Sequence, residues 1–368
     1  MQRPKGPPKY QRVYDELEQA IRDGRWQPGK RLPSEAELVG IFGASRITVG
    51  RAVLELQRGG LVERRAGSGT YVKAAPAAAG ALSFGLLIPD LGETEIFEPI
   101  CRGMMASPPA RGHALVWGSE GGEGESRAER AWRLCRQYVE RRVARVFFAP
   151  LELAPEKDVV NRRIGEALDA AGIPVVLLDR TIVPFPGRGR HDLVGIDNRR
   201  AGCVMTEHLL GVGARRPAFV ALPNTAATVD AREAGYRETL YRSGIAPDPG
   251  LVQRFDPGDA GAVRDLMEAQ RPDGIVCAND WTAARLMHTL LALGYRIPAD
   301  VRLVGIDDLE YARLLPVPLT TYRQPTRQLG EVALAAMLER IARPDLPTRD
   351  VLLSGKLVVR RSSGAAGT

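Results

Sequence analysis

The sequence predicts two bodies: an N-terminal winged helix-turn-helix and a C-terminal α/β body of two lobes, each a doubly wound parallel sheet. Three observations carry this. Residues 1–73 hold 14 Lys/Arg against 8 Asp/Glu, whereas the remaining 295 hold 37 against 36, so one small segment supplies nearly all of the formal charge of +7. Three helical stretches and an arginine-bearing hairpin follow one another in residues 10–72. From residue 82 onward, short apolar runs alternate with helical stretches, the pattern of strands covered on both faces.

In the head, Val13, Leu17 and Ile21 recur at steps of four over 10–24, one buried helical face ended by Gly24. Pro28-Gly29 makes a turn, and Pro33 holds the chain extended before Ser34. Ser34 with Glu37 three residues on reads as a capping box, with Leu38, Ile41 and Phe42 as the apolar side of a second helix closed by Gly43. Ser45 opens a third helix whose buried stripe is Val49, Val53 and Leu56. Gly59-Gly60 stops it, and 61–72 forms a hairpin about Gly67-Ser68-Gly69. The segment KAAPAAAGA (73–81) reads as a joint, giving a head of 1–73, a linker of 74–81, a body of 82–362 and a flexible tail of 363–368.

The body alternates in order. Strand runs are expected at 82–91, 144–150, 172–180, 192–197, 215–222, 251–255, 273–280 and 301–308. Helices are expected at 129–142, 156–171, 200–212, 230–243, 259–269 and 281–293, with loops at 118–127 and 181–191. The length of the alternation suggests two similar lobes.

Composition narrows the chemistry. Cys101, Cys135, Cys203 and Cys277 have no close spacing, and no Cys/His cluster exists, so no structural metal is expected and the compartment reads as reducing. No secretory start and no apolar run of the ~18–20 residues that cross a bilayer is present, so a cytoplasmic protein without membrane contact is expected. The body opens GLLIPDLG rather than GxGxxG, and GxxxxGK[ST], HExxH and GxSxG are absent, so neither a cofactor nor catalysis is expected. His208 and His288 fall within helical stretches and read as helix surface or core.

Two constellations remain. In the head, Ser45, Arg46, Thr48 and Arg51 lie at the start of the third helix, away from Val49 and Val53. Helix N-termini and short polar side chains suit phosphates, and arginine can fork onto guanine. The hairpin sets Arg64, Arg65 and Ser68 beside the duplex. In the body, acids fall at the carboxyl ends of strands, where open α/β sheets bind ligands: Asp90, Asp179, Asp197, Asp280, Asp307 and Asp308. With Arg232, Asn279 and Trp281 they form a set suited to hydroxyl groups and a ring face. Asp or Asn after a strand serves equally to cap the next helix, which stays open for Asp197, Asp280 and Asp307.

Residues 10–72 resemble the GntR-type winged helix. The matching text is G-x-W-x-P-G-x-x-L-P-S-E (24–35), SRITV (45–49) and RAVLELQRGGLVERRAGSGTYV (51–72). The resemblance implies DNA contacts at Ser45, Arg46, Thr48 and the wing residues Gly67, Ser68, Gly69 and Thr70, and Ser34 is a further DNA-binding candidate. Ala36 and Gly50 depart from it, since both positions often hold arginine. Residues 82–362 resemble the LacI/GalR effector domain, a type I periplasmic-binding-protein-like fold. Stretches 194–220, 230–245, 273–280 and 294–325 carry the match. It implies that Arg232, Asn279 and Asp307 grip a ligand, with Glu95 and Phe97 where the first lobe closes over it. Ala214 departs at a position where histidine is common. The LacI-type reader and hinge helix are replaced by the GntR-type head, an architecture similar to arabinose-responsive repressors.

The expected function is a transcriptional repressor that binds double-stranded operator DNA as a homodimer under control of a carbohydrate effector. The alternative is a ligand-binding sensor without sequence-specific DNA regulation.

Overall fold

The computed structural model describes residues 9–22, 25–27, 29–58, 61–65, 68–72, 82–89, 96–110, 112–118, 124–246 and 248–364. The expected linker 74–81, Gly67, Asp90, Glu95 and residues 365–368 lie outside them. The chain divides into two compact units, Met1–Ala81 and Leu82–Thr368.

The first unit holds helices α1 (Lys9–Arg22), α2 (Glu35–Phe42) and α3 (Arg46–Arg58) and the hairpin β1 (Val62–Arg65) and β2 (Gly69–Val72). Val13 and Leu17 of α1 meet Leu38 of α2 and Val49, Val53 and Leu56 of α3 in one small core. The capping box on Ser34 and Glu37 is present. Ser45 Oγ accepts from Thr48 N at 3.3 Å, starting α3. Residues 29–32 run beside β2: Gly29 N donates to Val72 O, Val72 N to Lys30 O and Leu32 N to Thr70 O, all within 2.9 Å. The wing therefore has a third, strand-like edge, which the sequence reading takes as an extended approach. Ile41, expected on the buried side of α2, is 60% exposed, while Leu38 is buried and Val39 and Phe42 pack against the same core.

The second unit has two lobes of the same plan. Lobe one takes β3 (Ser83–Leu87), α4 (Phe97–Ala106), β4 (Ala114–Trp117), α5 (Arg127–Glu140), β5 (Arg145–Phe148), α6 (Lys157–Ala170), β6 (Val175–Leu178) and β7 (Asp192–Ile196). Lobe two takes α7 (Asn198–Gly211), β8 (Pro217–Ala221), α8 (Ala227–Arg242), β9 (Val252–Arg254), α9 (Ala260–Asp265), β10 (Gly274–Cys277), α10 (Asp280–Ala292), β11 (Arg302–Asp307) and β12 (Thr320–Arg323). Then α11 (Thr326–Ala342) and β13 (Asp350–Leu353) return to lobe one, and β14 (Lys356–Val358) crosses to lobe two. The sheets run β13-β7-β6-β5-β3-β4 and β14-β12-β11-β10-β8-β9, every pair parallel except β12 with β14. In each lobe the second strand lies outside the first, so the order reverses at β3/β5 and again at β8/β10. Ligand sites in open α/β sheets form at such reversals.

Apolar sequence runs became strands where both faces are covered: β5, β6, β8 and β10 are buried along nearly their whole length. Helices α4 and α11, strand β4 and the last three strands were not assigned from the sequence. Ser363, expected in a flexible tail, is fully buried, with its Oγ 2.8 Å from Thr320 Oγ1 and 2.9 Å from His208 Nε2. Hydroxyl pairing with the end of the second sheet ties that segment down.

Glycines set how closely two helix pairs cross. A Cβ on Gly235 of α8 would lie 2.0 Å from Arg199 O of α7, and one on Gly202 of α7 would lie 2.0 Å from Arg232 O of α8. Gly103 and Gly330 do the same for α4 and α11. Gly235→Ala should therefore lower unfolding stability by ~1–3 kcal/mol or more through overpacking. Gly211→Ala, on α7 with open space around it, should be neutral or stabilising by up to about 1 kcal/mol. Denaturant melts of the two variants check the contrast.

Candidate effector cleft and nucleic-acid interface

A cavity of about 490 Å³ lies between the lobes at the two strand-order reversals. Lobe one supplies Ile96, Glu152 and Leu153 after β5, and Asp179 and Arg180 after β6. Lobe two supplies Thr225 and Thr228 before and within α8, Arg232, Asn279 and Trp281 at the start of α10, Asp307 at the end of β11, and Tyr311. The lobes touch beside it. Leu153 N donates to Asn224 O at 2.8 Å, and Ala226 N donates to Glu152 Oε2 at 3.3 Å.

Arg232 organises the floor. Its guanidinium is 4% exposed and donates from Nε to Asn198 Oδ1 at 2.8 Å and from Nη1 to Ala278 O at 2.6 Å. Nη2 sits 3.9 Å from Asp307 Oδ1, which also accepts from Gln324 Nε2 at 2.7 Å. Asp307 has φ of 133°, a strained conformation for a residue with a side chain. Burial pushes its carboxyl well above the usual range, against the pull of Arg232. Across the cleft, Arg180 Nη1 lies 2.5 Å from Glu152 Oε1, while Asp179 keeps Oδ1 buried with no hydrogen-bond partner among the described residues. An orphaned buried carboxylate oxygen is costly and points to a donor supplied from outside the chain.

The structure gathers Asp179, Arg232, Asn279, Trp281 and Asp307, five of the eight expected effector residues, around one cavity. Phe97 is a correction. It does not line the cavity but is 1% exposed in the core, because it opens the amphipathic helix α4 and faces inward. Arg180 lies over its ring at 5.4 Å, and Ile96 holds the cavity wall instead. Asn279 is the cap of α10, accepting from Thr282 N at 2.8 Å. Asp280 turns inward, fully buried, and accepts from Thr321 Oγ1 at 2.6 Å and Leu309 N at 3.0 Å. Asp197 caps α7 through Arg200 N. Asp308 is held between Arg323 and Arg360. Glu152, Arg180, Thr225 and Tyr311 were missed. Each follows a strand or opens a helix on the carboxyl side, so the strand-end rule had the means to find Glu152 and Arg180.

In the head, Arg46 is exposed on the first turn of α3, and Thr48 pairs its hydroxyl with Ser45 Oγ at 2.9 Å. The Arg51 guanidinium lies 4.1 Å from the centre of the Tyr10 ring, a cation–π contact with α1. Arg64 pairs with Glu35 at the start of α2. Ser68 Oγ lies 2.6 Å from Tyr71 OH at the hairpin tip, and Gly69 takes φ of 119°. Ser34 is committed to its capping box. Thr70 is half-buried on β2, and Arg65 closes β1. Among the described residues, no group of three or more His, Cys, Asp or Glu is arranged to hold a metal, and no helix is long and apolar enough to cross a membrane.

The state of Asp307 gives a pH test. Its folded carboxyl binds a proton more readily than the unfolded one, so its contribution to stability is greatest below about pH 4 and is lost as pH rises through the raised value. Asp307→Asn, which cannot ionise, should gain in melting temperature relative to the parent as pH goes from 4.5 to 8. A flat or inverted difference in thermal melts would show that burial does not govern this carboxyl.

Residues 9–72 match the model of bacterial regulatory proteins of the gntR family, and residues 206–363 match the periplasmic binding protein-like domain. The chain is 24% identical over 374 residues to the arabinose metabolism transcriptional repressor of Geobacillus stearothermophilus, covering 97% of this chain and 98% of that one. It is 33% identical over 205 residues to the HTH-type transcriptional regulator CelR of Thermobifida fusca, covering 54% and 59%. Among solved structures it is similar to a CelR–cellobiose complex, at 26% identity and a TM-score of 0.64 over 86% of this chain and 90% of that one. It is also similar to the transcription regulator GntR from Chromobacterium violaceum, at 27% identity and a TM-score of 0.60 over 76% and 99%. The chain joins a GntR-type helix-turn-helix domain to a LacI/GalR-like, periplasmic-binding-protein-like effector domain, the arrangement of the transcriptional regulators to which it is similar.

Proposed function

We propose that this regulator is a repressor that binds operator DNA as a homodimer and changes its hold when a neutral sugar enters the cleft between the lobes. The observation that carries this reading is the cavity at both strand-order reversals, with a buried carboxylate oxygen lacking a donor. Its lining offers acceptors on Glu152, Asp179 and Asp307 and donors on Arg127, Arg180 and Arg232. Such a set suits hydroxyls, which both donate and accept. Trp281, 42% exposed at the rim with Arg285 4.9 Å from its ring centre, offers a face for a sugar ring. Relatives named for arabinose, ribose and cellobiose support the class and leave the individual sugar open.

The mechanism follows from the connections. The chain passes between lobes at three places, 196–198, 323–326 and 353–356, each next to the cleft. A ligand held from both sides favours the arrangement in which Glu152 and Leu153 meet residues 224–226. It shifts the population only by its differential affinity for that state. A dimer passes the change to two heads, because twofold-related heads read half-sites about one duplex turn apart. The head's contacts are Ser45, Arg46, Thr48 and the hairpin around Ser68, with phosphate binding that weakens as salt rises.

A thermal-shift panel of pentoses, hexoses and disaccharides tests the cleft. A true effector at 100 times its Kd should raise the effector domain's melting temperature by about 5 °C or more, and Asp307→Ala should abolish the shift while DNA binding survives. Operator titration with and without that sugar tests the coupling. The reading fails if the sugar binds the body and operator affinity stays unchanged.

A further inference from the structure

We propose that Ile47 reads the 5-methyl group of an operator thymine, and that Gly50 opens the surface of α3 so that it can reach. The proposal rests on the reading of α3 as the helix that enters the major groove. Ile47 is 85% exposed, and Leu54, seven residues on, is 44% exposed. Gly50 lies between them at i+3 on the same face, opposite Val49, Val53 and Leu56 in the core. A Cβ built on Gly50 would meet nothing nearer than Glu35 Oε2 at 3.8 Å, so the space in front of it is open. Packing within the head therefore does not require glycine there, and a helix interior disfavours it.

The partner is identified by charge and by what the neighbouring arginines already do. The strip lies on the segment that carries nearly all of the chain's net charge, which suits a polyanion rather than another apolar protein face. Arg51 is stacked on Tyr10, and Arg64 is paired with Glu35, so two of the arginines expected to contact DNA have partners within the head. The Glu35 carboxylate beside Gly50 further disfavours close approach of a phosphate there. Next to the exposed Arg46, α3 presents an isoleucine beside a gap. In the major groove, the apolar element on the base edges is the thymine methyl, and aliphatic side chains recognise it by contact.

The test uses the full chain and a preferred half-site obtained by selection from a random duplex pool. Each thymine is replaced in turn by deoxyuridine, which removes only the methyl group, and affinity is read by fluorescence anisotropy. One replacement should weaken the parent about fourfold, the value of one buried methyl. With Ile47→Ala that replacement should have no effect, and binding to random duplex should be unchanged. Gly50→Ala, which has room to fold, should lose affinity for the selected site. The proposal is overturned if every deoxyuridine is neutral for the parent, or if the penalty persists undiminished in Ile47→Ala. Full affinity in Gly50→Ala overturns the role given to the glycine. If selection returns no preferred sequence, the reading of α3 as a base-reading helix falls, and that outcome is distinct from the others.

Discussion

A buried guanidinium has five donors and no tolerance for leaving them idle. Arg232 hydrogen-bonds an amide on the first residue of α7 and a carbonyl just past β10, and stands 3.9 Å from the carboxyl at the end of β11. Those three partners are the chain's entry to lobe two and the two strand ends that face the cleft. One side chain therefore fixes the floor of the cavity and the point where one lobe hands over to the other. The glycine contact between Gly202 and the Arg232 carbonyl brings α7 close enough for Asn198 to reach. The strained backbone at Asp307 is consistent with that arrangement, since a carboxylate there is held by Arg232 and Gln324 together.

Much of this was readable from residue order. Fully covered parallel strands read as unbroken apolar runs, and β5, β6, β8 and β10 stood out for that reason. The strand-end rule found Asp179, Asn279 and Asp307 because a sheet's carboxyl edge is where polar side chains survive between two cores. The head was legible down to its caps, Ser34 and Ser45, since capping chemistry is local.

What stayed hidden depends on partners distant in sequence. β13 alternates in exposure at a sheet edge and gives no continuous apolar run. α11 carries buried residues on much of its surface because α4, β6 and β7 surround it, so no single stripe marks it. Phe97 was expected where the first lobe closes over a ligand, and the inward face of α4 puts it in the core instead. Asp280 was weighed as a cap or a ligand group. It is neither, because Asn279 took the cap and Thr321 and Leu309 took the carboxylate.

The paired glycine crossings have a consequence for how such a molecule diversifies. With backbone against backbone, neither α4 on α11 nor α7 on α8 has slack to absorb a side-chain change. Each helix pair thus keeps one spacing, and the chain joins the two lobes through three short crossings. Residues at the rim of the cavity can therefore change without moving the helix crossings behind them. The lining of the cleft is thus separable, residue by residue, from the packing that sets its walls.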